Sequence, residues 1–183
     1  MKFFTFLSTI FAAFVLLVAA ADQENYNVAR EAAVTATGKE PDKKSRYAML
    51  EYWHATNQAE QCVAGFSHVR LIVGKFSGSG NDFKAEAFDM VSDGNGPSGG
   101  SWTAVTEAER DKNWLANRYI KNGQVRRVSV NSQYQWLGKV RSGVTNSHIQ
   151  SLGEQYCRTY PTYNLLNNNC YSYATWLWNQ IKA

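Results

Sequence analysis

The sequence predicts an α+β domain in which a small antiparallel sheet packs against helices and a cysteine stands at the N-terminus of the last helix. Three observations carry this expectation. Cys62 to Phe76 and Phe83 to Val91 are rich in β-branched and aromatic residues, and the turn Ser77-Gly78-Ser79-Gly80-Asn81 joins them as a β-hairpin. Thr106-Glu107-Ala108-Glu109 has capping-box spacing and opens a helix through Trp114, Leu115 and Tyr119 to the stop at Asn122-Gly123. After Cys170, the apolar residues Tyr173, Ala174, Leu177 and Ile181 recur at helical spacing.

Taken in order, Met1 to Ala21 has Lys2, an apolar run from Phe3 to Val18 and a small-residue cluster at Ala19-Ala20-Ala21. That is the pattern of a secretory signal peptide cleaved near Ala21, so an extracellular location is expected. Asp22 to Ser45 mixes alanine, threonine and charge with Gly38 and Pro41, and reads as a flexible N-terminal extension; Lys43-Lys44-Ser45-Arg46 offers a basic site for processing. The domain proper is expected over residues 46–183. Tyr47, Leu50, Ala55 and Ala59 space out as a short helix, on which His54 is a surface or packing residue. The hairpin follows, and then the glycine-rich loop Asp93 to Ser101, which lacks the strand-loop-helix context and the Lys-Ser/Thr ending of a phosphate-binding loop. Beyond the capping-box helix, Gln124 to Tyr134 alternates as a third strand and Trp136 to Val140 as a fourth. Val144 to Cys157 reads as a helix carrying His148 on its surface, and Pro161 ends that segment. Tyr171, Tyr173, Trp176 and Trp178 are expected to pack into the core.

Without the signal peptide about 160 residues remain, enough for one domain with a proper core. The formal net charge of the whole chain is +4. It is small and scattered, with Arg126-Arg127 and Lys139/Arg141 the nearest approach to a patch, so nucleic-acid binding is not expected. No stretch after the signal approaches a membrane-spanning length, no Cys/His cluster has zinc-ligand spacing, and no cofactor is expected. The chain is read as a monomer. Three cysteines in an exported protein leave one over once a disulfide forms. Pairing Cys62 with Cys157 leaves Cys170 free, whereas any pairing through Cys170 removes its chemistry.

Cys170 follows the polar run Asn167-Asn168-Asn169 at the start of the final helix. Free backbone N–H groups and the positive end of the helix dipole favour a thiolate there, and the same N–H groups can receive an oxyanion. Asn168 and Asn169 suit turns and helix caps, with a side-chain donor to the oxyanion as a lesser role.

The stretch Tyr163-Asn-Leu-Leu-Asn-Asn-Asn-Cys170, with Ser67-His68-Val69-Arg70-Leu71-Ile72-Val73-Gly74 upstream, resembles the nucleophile and histidine motifs of the circularly permuted papain-like superfamily. The nearest likeness is to its lecithin-retinol-acyltransferase-like and PPPDE peptidase-like groups, over roughly residues 62 to 182. The resemblance implies a permuted papain-like fold with Cys170 as nucleophile and His68 as general base. It also implies a polar residue on the strand after the histidine to orient the imidazole. Glu86 and Asp89 are the candidates, on opposite strand faces, so at most one can serve. The activity implied is that of a thiol hydrolase or transferase acting on an amide, isopeptide or ester bond of a peptide, protein or lipid ester. Tyr171-Ser172-Tyr173 departs from the Glu/Asn-His-Phe found after the cysteine in many relatives, which motivates an alternative, an inactive secreted binding protein or effector.

Overall fold

The fold is built on a strand that is apolar on both faces. A computed structural model describes residues 25–54, 66–77, 82–92, 102–106, 133–161 and 168–183. Its elements are helix α1 (residues 25–37), strands β1 (Arg46–His54), β2 (Phe66–Phe76), β3 (Phe83–Ser92), β4 (Trp102–Thr106) and β5 (Tyr134–Lys139), and helices α2 (Asn146–Thr159) and α3 (Cys170–Ile181). The strands form one antiparallel sheet in the order β4-β3-β2-β1-β5. One face carries Ala48, Leu50, Val69, Leu71, Val73, Phe88 and Met90 against α2 and α3. The other carries Met49, Ile72, Phe76, Phe83 and Ala87 against Ala29 and Ala32 of α1. Helices on both faces make this an α+β fold of three layers.

Two expectations change. The helix expected over Tyr47 to Ala59 is, in its described part, strand β1. Ala48 and Leu50 fill one core while Tyr47 and Met49 fill the other, so the strand shows no polar alternation and its apolar spacing imitates a helix. The N-terminal extension is not flexible throughout: residues 25–37 are helical, and Ala29, Ala32 and Ala33 are buried on the sheet. Small side chains let that helix approach closely without the large apolar residues that announce an amphipathic face. The basic run after it is built in as well. Asp42 accepts from the Lys44 and Ser45 N–H groups at 2.9 and 2.7 Å, and the Arg46 guanidinium donates to the Val144 carbonyl at 2.6 Å and to the Asn146 side chain.

The β2–β3 hairpin is as expected, with Ser77 N–H closing onto the Asp82 carbonyl at 2.9 Å. Tyr134 to Lys139 forms the edge strand β5 beside β1. Their register slips between Ala48 and Met49, where Gly138 takes φ 117°, a backbone state open to glycine. Thr106 is the last residue of strand β4. The signal segment 1–21, the loop 93–101, the capping-box helix beyond Thr106 and the strand expected from Gln124, up to 132, lie outside the described residues. Gly74 on β2 opposes Ala85, and a Cβ added to it would meet the Ala85 Cβ at 2.6 Å and the Lys84 carbonyl oxygen at 2.7 Å. Gly74→Ala is therefore expected to cost about 1–3 kcal/mol through overpacking against backbone, read as a lower urea midpoint with an unchanged slope.

Candidate active site

Helix α3 begins where the sequence stops offering apolar contacts and offers caps. Asn169 is extended, and its Oδ1 accepts from the Ser172 N–H at 3.0 Å and the Ser172 hydroxyl at 3.3 Å. Its carbonyl accepts the first helical bond, from Tyr173 N–H at 2.9 Å. Asn168 ties the approach to α2: its Oδ1 accepts from the Tyr156 hydroxyl at 2.7 Å and its Nδ2 donates to the Tyr160 carbonyl at 3.1 Å. Both asparagines thus act as cap and clamp, as expected. They set Cys170 as the first residue of the helix, at the positive end of its dipole and 1% exposed.

His68 stands near the start of β2, with Nε2 2.8 Å from Asp89 Oδ2 on β3. The Asp89 side chain is 6% exposed, and its other oxygen accepts from the Met90 N–H at 2.6 Å, which fixes its rotamer. The imidazole also shares a hydrogen bond with the Cys170 side chain. With Nε2 given to Asp89, Nδ1 is the nitrogen left to face the thiol. Burial by itself would lower the His68 pKa. The charge and hydrogen bond of Asp89, followed by those of Cys170, outweigh it and hold the pKa well above the ordinary imidazole value. A thiol beside an imidazole that prefers its proton can exist as a thiolate–imidazolium pair.

The structure therefore brings together Cys170 and His68, distant in sequence, and decides between the two acidic candidates. Asp89 meets His68. Glu86 instead accepts a hydrogen bond from Asn146 Nδ2. His148 is exposed on α2. Cys157, the expected disulfide partner of Cys62, carries a free thiol buried in the core, where burial pushes its pKa up to about 11; Cys62 lies outside the described residues. Tyr173 packs as expected, and Trp176 and Trp178 are partly buried against the same core, but Tyr171 is 36% exposed. Among the described residues no cluster of His, Cys, Asp and Glu could hold a metal ion, and no helix is long and apolar enough to cross a membrane.

One set of groups escaped the sequence reading. Arg70 and Glu51, 1% and 0% exposed, pair across β2 and β1, and the Tyr134 hydroxyl donates to Glu51 at 3.2 Å. The signal was available in principle: Arg70 interrupts Val69-Arg70-Leu71-Ile72-Val73, and Glu51 follows Met49-Leu50. A charge inside a strand covered on both faces requires a buried partner. No family model, curated protein or solved structure matches this chain.

Proposed function

We propose that this chain is a secreted thiol hydrolase or transferase of the permuted papain-like type, acting on an amide, isopeptide or ester bond through a thioester on Cys170. The observation that carries this reading is the His68 imidazole set between the Asp89 carboxylate and the Cys170 thiol at the first turn of α3. The thiolate attacks the substrate carbonyl carbon, and the oxygen that gains the charge is met by N–H groups at the helix start. The His68 imidazolium then gives its proton to the leaving amine or alkoxide, and the acyl group remains on sulfur. Neutral His68 next takes a proton from water or an acceptor nucleophile, which attacks the thioester and expels the thiolate. Asp89 holds the imidazole in one tautomer and stabilises its charged form. The signal-peptide pattern of residues 1–21 supports export.

A second reading, a binding protein or effector without turnover, draws on the 1% exposure of Cys170, which leaves the sulfur covered from an incoming carbonyl. The two separate in the rate of Cys170 alkylation by iodoacetamide from about pH 4 to 9, with peptide mapping of the unreduced protein. For the enzyme, Cys170 reacts with a midpoint well below the ordinary thiol value of about 8.5, while Cys157 stays inert at neutral pH. A Cys170 that is inert or titrates as an ordinary thiol in folded protein favours the binding reading. Once a peptide amide or ester is found to turn over, Cys170→Ala abolishes that turnover and leaves the circular dichroism unchanged; surviving turnover overturns the assignment.

A further inference from the structure

Helix α3 carries the candidate nucleophile and no charge. None of its twelve residues is Asp, Glu, Lys or Arg, although 19% of the whole chain is charged and a surface helix normally turns charged side chains to water. Two of its sides are covered. Cys170, Ala174, Leu177 and Ile181 enter the sheet core, and Tyr173 and Trp176 meet the Tyr156 ring of α2 at 5.3 and 5.4 Å. At 3.6 residues per turn, Tyr171 and Trp178 lie about 140–200° around the helix from that pair, on the flank turned away from Tyr156. Tyr171 is 36% exposed and Trp178 is partly buried. Among the described residues neither ring meets another ring, and neither the Tyr171 hydroxyl nor the Trp178 indole N–H has a hydrogen-bond partner. Thr175 stands between them at helical spacing, and its hydroxyl is turned back onto the helix, donating to the Tyr171 carbonyl at 2.7 Å. Absence of charge together with tyrosine and tryptophan is the composition of an interface core.

We propose that the flank formed by Tyr171, Thr175 and Trp178 is the docking strip for the peptide segment beside the bond that Cys170 attacks, and that the substrate is a protein or peptide with uncharged, apolar residues there. The strip starts one residue from the nucleophile and runs about 10 Å along α3, the reach of about three residues of extended chain. A charged side chain laid along it would lose water and meet no counter-charge on α3. The two polar handles decide between a peptide and the acyl chain of a lipid ester. A hydrocarbon chain over this flank would bury the Tyr171 hydroxyl and the Trp178 N–H without partners, whereas a peptide backbone brings carbonyl oxygens to both. This inference rests on the proposed function of Cys170 and His68 and names the substrate class of that same site.

The test compares rates of Cys170 modification by peptide alkylators in the whole protein. Iodoacetyl-Phe-Leu-Phe-amide extends to the leaving-group side of the attacked carbon and acetyl-Phe-Leu-Phe chloromethyl ketone to the acyl side, and each is set against its Glu-Ser-Glu counterpart. In one of these directions the apolar probe is expected to react about tenfold faster than the charged one. Tyr171→Ser and Trp178→Ser each bring that ratio to within about threefold, and Tyr171→Ser, at the exposed position, carries the test should Trp178→Ser not fold. The ratio is read within one variant, so a general change in Cys170 reactivity cancels. Equal rates for apolar and charged probes in both directions, or a preference that survives in folded Tyr171→Ser, overturns the proposal. An octyl iodoacetamide or octyl chloromethyl ketone that outpaces the apolar peptide of its own type overturns the choice of a peptide. With either of these results, a Cys170 that iodoacetamide alkylates with a low midpoint leaves the Cys170–His68 pair standing. A Cys170 inert to iodoacetamide in the folded protein removes that pair and the docking strip with it.

Discussion

His68→Gln slows alkylation of Cys170 at about pH 6 by roughly 10²-fold, because a thiol of ordinary pKa is less than about one per cent thiolate there. Glutamine keeps the polar contact to Asp89 but cannot carry the proton that the thiol gives up. Stability responds with a definite sign. The folded protein holds the His68 proton more tightly than the unfolded chain does, through Asp89 and Cys170, so the histidine's folded pKa lies above its unfolded one. Its contribution is complete below the unfolded value of about 6.5 and disappears as pH rises through the raised folded value. Urea midpoints of the unmodified protein and His68→Gln therefore differ most in mildly acidic buffer and converge on the alkaline side. A gap that widens with pH would show that the histidine is held neutral, and it would remove the imidazolium from the mechanism.

Cys170 was legible because an asparagine run before a helix gives a cap, which is local chemistry. His68 was read from the resemblance of its motif, since a histidine opening an apolar strand is by itself an ordinary strand residue. The choice between Glu86 and Asp89 was not legible. The two stand on opposite faces of β3, and which of them meets the His68 imidazole is a property of packing. Strand β1 misled for a related reason: with both faces buried it has no polar alternation to report its period. Helix α1 hid behind alanines, whose burial on the sheet follows from close approach and not from a large apolar stripe. Arg70 and Glu51 were overlooked because a charged residue taken singly reads as solvated; only their register across β1 and β2 makes them a pair.

That pair sets the other large effect. Arg70→Met takes the guanidinium away from the Glu51 carboxylate, which is 0% exposed and accepts from the Tyr134 hydroxyl at 3.2 Å. Breaking a buried pair from one side costs about 3–5 kcal/mol, chiefly the desolvation of the group left behind. For a domain of this size each kcal/mol moves the midpoint by about 2–4 °C, so Tm falls by roughly 6–20 °C. The pair as a whole is a different matter. Glu51→Leu with Arg70→Met removes both charges of the pair, and apolar replacement of a complete buried pair is close to neutral. A thermal scan in which the double variant recovers most of the loss assigns the pair a role other than stability. A double variant as unstable as Arg70→Met alone would instead make the ion pair a net source of folding energy.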